Sequence, residues 1–89
     1  MKTIYKYQIE VKDEQIVMLP INAQILTIQT QHETPCIWAL IDKNENRTTP
    51  VKVKIYGTGH PIPDNENPIY IGTFQLYGGN IVFHVFHQL

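Results

Sequence analysis

The chain has 89 residues, of which 43% are hydrophobic and 17% charged, and its net charge is -1 at pH 7. This length holds a single hydrophobic core, so we expect one domain over residues 1–89. The near-neutral charge argues against DNA or RNA binding, which requires a positive surface. The longest apolar run, residues 36–41, is too short to span a membrane. A single cysteine and an N-terminus without a signal-like apolar segment lead us to expect a cytoplasmic protein.

Apolar and polar residues alternate along most of the chain, which is the period of half-buried strands. The predicted strands cover residues 5–11, 15–19, 24–30, 36–41, 51–55, 69–76 and 81–86. The fourth run is apolar at consecutive positions, which indicates a central strand covered on both faces. Gly78 and Gly79 predict a tight turn between the last two strands. About seven short strands favour an all-β, antiparallel β-sandwich or small barrel.

The same alternation predicts which side chains form the core. We expect ten largely buried residues: Leu26, Ile28, Trp38, Leu40, Val53, Ile55, Ile71, Phe74, Phe83 and Val85. In four of the predicted strands these side chains lie two residues apart, as the inward face of a sheet requires, whereas Ile71 and Phe74 lie three apart.

A glycine-rich loop follows the fifth predicted strand, where residues 56–63 read YGTGHPIP. Its glycines let backbone N–H groups approach an anion, and hydroxyl and imidazole groups lie between and after them. The alternative interpretation is a tight turn whose glycines only relieve backbone strain. The candidate ligand-binding residues are Tyr56, Gly57, Thr58, Gly59 and His60, with Lys54, Arg47 and Tyr70 as additions. A phosphate would contact the loop, and a tyrosine would stack on a base.

Enzymatic and metal chemistry have little support in the sequence. His84 and His87 have odd spacing and would point to opposite faces of a strand, so we expect no metal site. His84 is interpreted as a satisfied, partly buried histidine or an interface residue. Cys36 lies in an apolar strand, where a thiol is inert. We therefore expect neither an enzyme nor a bound cofactor.

Four separated motifs resemble a family of small uncharacterised proteins encoded by phages and prophages. The motifs are residues 35–42 (PCIWALID), 55–63 (IYGTGHPIP), 70–75 (YIGTFQ) and 81–86 (IVFHVF). The resemblance implies a phage-like origin and expression in a bacterial host, and it supplies no established site residues.

Two hypotheses on function remain open at this stage. The first is a non-enzymatic binder of a small phosphorylated, nucleotide-like ligand; the phage resemblance suggests sequestration of a host immune signal. The second is a protein–protein module that inhibits a host protein or forms a minor structural component. Low surface charge on a small domain also leads us to expect a homo-oligomer.

Overall fold

The structure, a computed structural model, describes residues 1–88, and it is built of strands joined by short loops. The strands are β1 (Lys2–Gln8), β2 (Glu14–Pro20), β3 (Gln24–Gln31), β4 (Thr34–Asp42), β5 (Thr48–Gly57), β6 (Ile69–Leu76) and β7 (Ile81–Gln88). A single 3-10 turn, Tyr77–Gly79, joins β6 to β7 at the predicted glycines. Among the described residues no helix is long and apolar enough to cross a membrane. The predicted all-β class is confirmed.

The strands form two antiparallel sheets that make a β-sandwich. One sheet has the order β1-β4-β3, and the other has the order β2-β5-β7-β6. The sheets approach each other closely where β3 meets β6. A Cβ atom on Gly72 would lie 2.7 Å from Ile28 Cγ2, so this approach requires glycine.

The core lies between the sheets and is formed by the inward side chains of the alternating strands. Eight buried residues make one cluster: Ile9, Ile28, Ile37, Val53, Ile55, Phe74, Leu76 and Val85. Five of these were predicted from the sequence. Ile71 and Phe83, also predicted, are partly buried and pack against the cluster.

The structure corrects three predicted core positions. Leu26 lies at a register shift between Ile25 and Thr27, which places its side chain outside the core with 42% of its surface exposed. Trp38 and Leu40 are only partly buried, because they alternate with the buried Ile37 and so lie on the opposite face of β4.

The prediction that β4 is covered on both faces by other layers is also wrong. β4 is central in its sheet, but the second sheet covers only its inner face. On the outer face Lys6 of β1 donates a hydrogen bond to Gln31 of β3. This bond crosses β4 at the level of Cys36, because Lys6 lies opposite Trp38 and Gln31 lies opposite Thr34. Flanking polar side chains thus bury Cys36 without a further layer of structure.

Candidate functional site

The candidate site lies on the outer face of the four-stranded sheet, which we call the outer aromatic face. Directly opposed residues in antiparallel strands share a face, so the strand register identifies its members. They are Glu14, Ile16, Met18, Lys52, Lys54, Tyr56, Tyr70, Thr73, His84 and Phe86. The loop of residues 58–68 folds back along this face.

The glycine-rich loop begins with a tight turn. The His60 N–H donates to the Gly57 carbonyl oxygen at 3.1 Å, and Gly59 has a φ of 86°, as a type II turn requires at that position. A Cβ atom on Gly57 would approach the His60 ring to 2.9 Å, so the imidazole lies against this glycine. Both glycines therefore have a structural role, as in the strained-turn interpretation.

His84 joins three elements through its two ring nitrogens. Its Nε2 lies 2.8 Å from Thr58 Oγ1, and its Nδ1 lies 2.9 Å from Thr73 Oγ1. The Tyr70 hydroxyl extends the series by hydrogen bonding to Thr73. We call Thr58, His84, Thr73 and Tyr70 the polar row. Each ring nitrogen of His84 thus has one threonine hydroxyl as its hydrogen-bond partner, and a hydroxyl can either donate or accept in such a pair.

The polar row confirms the interpretation of His84 as partly buried and satisfied, but no pattern in the sequence indicates its partners. Thr58, Thr73 and His84 come from three different segments and meet only through the register of β5, β7 and β6. With both ring nitrogens engaged, His84 serves to fix the row.

An aromatic cluster lies beside the polar row. The Tyr56 and Phe86 ring centroids are 5.8 Å apart at 76°, and those of Tyr70 and Phe86 are 5.3 Å apart at 61°. Both pairs have the edge-to-face arrangement that the ring quadrupoles favour. Tyr70 remains exposed and presents a large amphipathic side chain to solvent.

An ion pair ties the 58–68 loop to the outer aromatic face. The Lys54 ammonium donates to the Glu66 carboxylate, and the Tyr56 hydroxyl donates to the other oxygen of Glu66 at 2.8 Å. The Lys54 side chain is only 13% exposed. The hydrogen bond from Lys54 lowers the pKa of Glu66 below its ordinary value, and the same bond raises the pKa of Lys54. The ammonium is therefore already neutralised by a carboxylate of its own chain.

A cleft of about 370 Å³ lies between the loop and the sheet. Its charged and aromatic lining residues are Asp13, Glu14, Lys54, Tyr56, His60 and Glu66. Three carboxylates thus face a single ammonium. This lining favours a ligand that donates hydrogen bonds over a phosphate, which needs positive charge and free donors.

Seven of the eight predicted site residues fall into three groups in the structure, and Arg47 lies elsewhere. Lys54, Tyr56 and His60 line the cleft, Thr58 and Tyr70 belong to the polar row, and the two glycines shape the turn. Arg47 is not brought to the site. It precedes β5, whereas the turn follows β5, and the strand's ten residues span about 30 Å. Its guanidinium instead pairs with Glu45 at 2.8 Å.

A second cavity, of about 340 Å³, opens at the other end of the sandwich. Leu19, Ile25, Pro50, Val51 and His87 are among its lining residues. Burial lowers the pKa of His87 below its ordinary value, so the imidazole is neutral at pH 7. No sequence-predicted site residue lies there. Among residues 1–88 no group of three His, Cys, Asp or Glu side chains could hold a metal ion.

Comparison with known proteins gives one match. The model of DUF7352, described as a domain of unknown function, matches residues 1–89. No curated protein and no solved structure matches the chain.

Proposed function

We propose that this chain, which belongs to the DUF7352 family, is a non-enzymatic protein-binding module whose contact surface is the outer aromatic face. The observation that carries the proposal is the apolar surface left on that face. Ile16 is 59% exposed, Met18 50% and Tyr70 57%. Tyrosine, methionine and other large side chains of this kind are enriched at the centre of protein interfaces.

The shape of the molecule supports a protein partner. The chain extends over 40 × 34 × 16 Å, so each sheet presents a broad surface on a thin domain. Ile16 and Met18 lie at one edge of the four-stranded sheet and Tyr70 at the other, so a partner that covers the sheet would contact exposed apolar side chains at both edges.

The outer aromatic face is also fixed before any partner arrives. The polar row holds Tyr70 through Thr73 and His84, and the edge-to-face contacts hold its ring against Phe86. A side chain that is already ordered loses little rotamer entropy on binding, which favours affinity.

A phosphorylated ligand is less well supported than a protein partner, because the lysines near the cleft are already paired with carboxylates. Lys54 is engaged by Glu66, and Glu14 lies 3.4 Å from Lys52 and 3.7 Å from Lys54. A phosphate entering the cleft would have to displace a carboxylate and then face two others. A protein partner can cover these pairs without breaking them.

Two tyrosines provide a matched test of the protein-binding proposal. Tyr70 lies on the outer aromatic face, whereas Tyr77, 68% exposed, lies in the turn beyond the end of β6. Tagged wild-type protein should retain a partner from a bacterial lysate, the Tyr70→Ser variant should lose it, and Tyr77→Ser should retain it. Equal retention by both variants would contradict the proposal.

A second candidate function is binding of a nucleotide-like ligand in the cleft. Its volume falls within the range of about 300–1,000 Å³ typical of small-molecule sites, and Tyr56 offers a ring beside it. With the resemblance to phage proteins, this supports sequestration of a host nucleotide signal. Calorimetry with cyclic dinucleotides and cyclic ADP-ribose-type molecules tests it. This second candidate predicts heat from wild-type protein and none from Tyr56→Ala, and no heat from wild-type protein would reject it.

A further inference from the structure

The four strands at the ends of the two sheets differ in how their edges are protected. β3 and β6 pack close to each other, and β1 carries Lys2 and Lys6, of the kind that discourages edge pairing. β2 has neither protection within residues 1–88. Residues 15–19 of β2 carry no charge, and Ile16 and Met18 are both exposed. An uncharged, apolar free edge is a template for another strand.

The hydrogen-bond pattern of β2 determines which backbone groups remain free. Ile55 N–H donates to the Asp13 carbonyl oxygen, so residues at odd positions direct their backbone groups toward β5. The even positions therefore turn their backbone N–H and C=O groups to the free edge. These are Glu14, Ile16 and Met18, followed by Pro20, which has only a carbonyl group.

We propose that two copies of this chain associate by antiparallel pairing of β2 with β2, with the two-fold axis at Val17. In this register Ile16 lies opposite Met18 of the second copy, and each residue donates to and accepts from the other. Val17 lies opposite Val17, and Gln15 lies opposite Leu19. Glu14 lies opposite Pro20, whose missing N–H falls at the end of the ladder.

Registers with the two-fold axis one residue away from Val17 pair the two free edges less well. An axis at Ile16 would set the charged Glu14 against Met18, and an axis at Met18 would set Ile16 against Pro20, which cannot donate. The Val17 axis instead gathers Ile16 and Met18 of both copies into one apolar patch on the outer aromatic face. These are the two most exposed apolar side chains of the edge strand.

The pairing has a consequence for the contact surface. The two four-stranded sheets become one sheet of eight strands, and directly opposed residues keep the same face. The outer aromatic faces of the two copies are thus continuous. The assembly is additional to the proposed partner binding, and it stands whether or not such a partner exists.

Oligomeric state is the first test. Light scattering of the purified full chain, at about 100 µM to allow for the weak affinity of a small interface, should give twice the 10.3 kDa mass of one chain. Ile16→Lys and Met18→Lys should each return the mass to that of one chain. Ile4→Lys is the matched control, because Ile4 is 53% exposed but lies on β1. A wild-type monomer, or a dimer unchanged in both β2 variants, would overturn the proposal.

Disulfide cross-linking tests the register. Opposed residues at the axis have Cα atoms about 4.5 Å apart, within the range that a disulfide bridges. Val17→Cys should therefore form a covalent dimer on mild oxidation. Gln15→Cys is the control, because the two copies of residue 15 would lie about 13 Å apart along the strands. Cross-linking through residue 15 and not through residue 17 would overturn this register. If Val17→Cys fails to fold, the lysine variants at residues 16 and 18 still test whether β2 is the edge that pairs.

Discussion

The outer faces of the two sheets differ in how far their apolar side chains are covered. On the three-stranded sheet the outward apolar side chains of the central strand, Cys36 among them, are buried or partly buried, and the Lys6–Gln31 hydrogen bond joins the two flanking strands over them. Ile4, on the edge strand β1, stays exposed. On the four-stranded sheet the large apolar side chains Ile16, Met18 and Tyr70 lie on the two edge strands, where only one neighbour can cover them. The centre of the first face is covered by its own side chains, whereas the second face has large exposed apolar side chains along both edges.

The comparison teaches that strand order, rather than composition, decides which face is available. Both faces follow the same alternating pattern, and both contain aromatic or aliphatic side chains. The covered side chains lie on β4, which has a strand on each side, whereas the exposed Ile4, Ile16, Met18 and Tyr70 lie on strands that end their sheets.

The largest expected effect is a loss of stability on truncating a core residue of β4, compared with a residue on the outer face of the same strand. Ile37 and Leu40 lie on opposite faces of β4, the first fully buried and the second partly buried. Ile37→Ala should lower the free energy of unfolding by about 2–5 kcal/mol, since it leaves a cavity between the sheets. Leu40→Ala should cost clearly less in the same urea titration. A larger loss for Leu40→Ala would mean that the outer face of the three-stranded sheet holds part of the core.

A smaller effect is expected on the outer aromatic face. His84→Ala removes two hydrogen bonds, each worth about 0.5–1.5 kcal/mol net, and should lower the free energy of unfolding by about 1–2 kcal/mol. His60→Ala is the control and should change it by less than about 0.5 kcal/mol, because that imidazole is exposed and lies against Gly57. Equal losses would show that the polar row does not stabilise this face.

The smallest effect concerns the tie between Lys54 and Glu66. The folded pKa of Glu66 is lowered, first by the hydrogen bond from Lys54, so its stabilising contribution is present above the unfolded value of 4.5. It is lost as the pH falls through the lowered folded pKa. Glu66→Gln should therefore lower the melting temperature slightly at pH 7 and not at strongly acidic pH. A constant difference between the two proteins at every pH would contradict this assignment.

Alternation alone was enough to predict the order and approximate positions of the strands and much of the core, although β1 begins and ends three residues earlier than the predicted 5–11. Val53 and Ile55 follow the two-residue period without interruption, and both are buried as expected. Leu26 could not be placed, because a single extra residue in β3 shifts the pattern, and no local signal marks it.

The candidate site was predicted only where its residues are close in sequence. Tyr56 and His60 line one cleft because they lie four residues apart, at the end of β5 and in the turn that follows it. Arg47 was misplaced because its distance from the turn depends on the full length of β5. The partnership of Thr58 and Thr73 with His84 depends on a register that a bulge between Tyr70 and Gly72 adjusts.

Site-specific photo-cross-linking tests most directly the claim that the outer aromatic face is the contact surface. A photoreactive phenylalanine analogue replaces either Tyr70 on the outer aromatic face or Ile4 on the outer face of the three-stranded sheet, two positions of similar exposure. After irradiation in bacterial cells, position 70 should give a covalent protein adduct, identified by mass spectrometry, and position 4 should give none. An adduct from position 4, or from neither position, would contradict the claim.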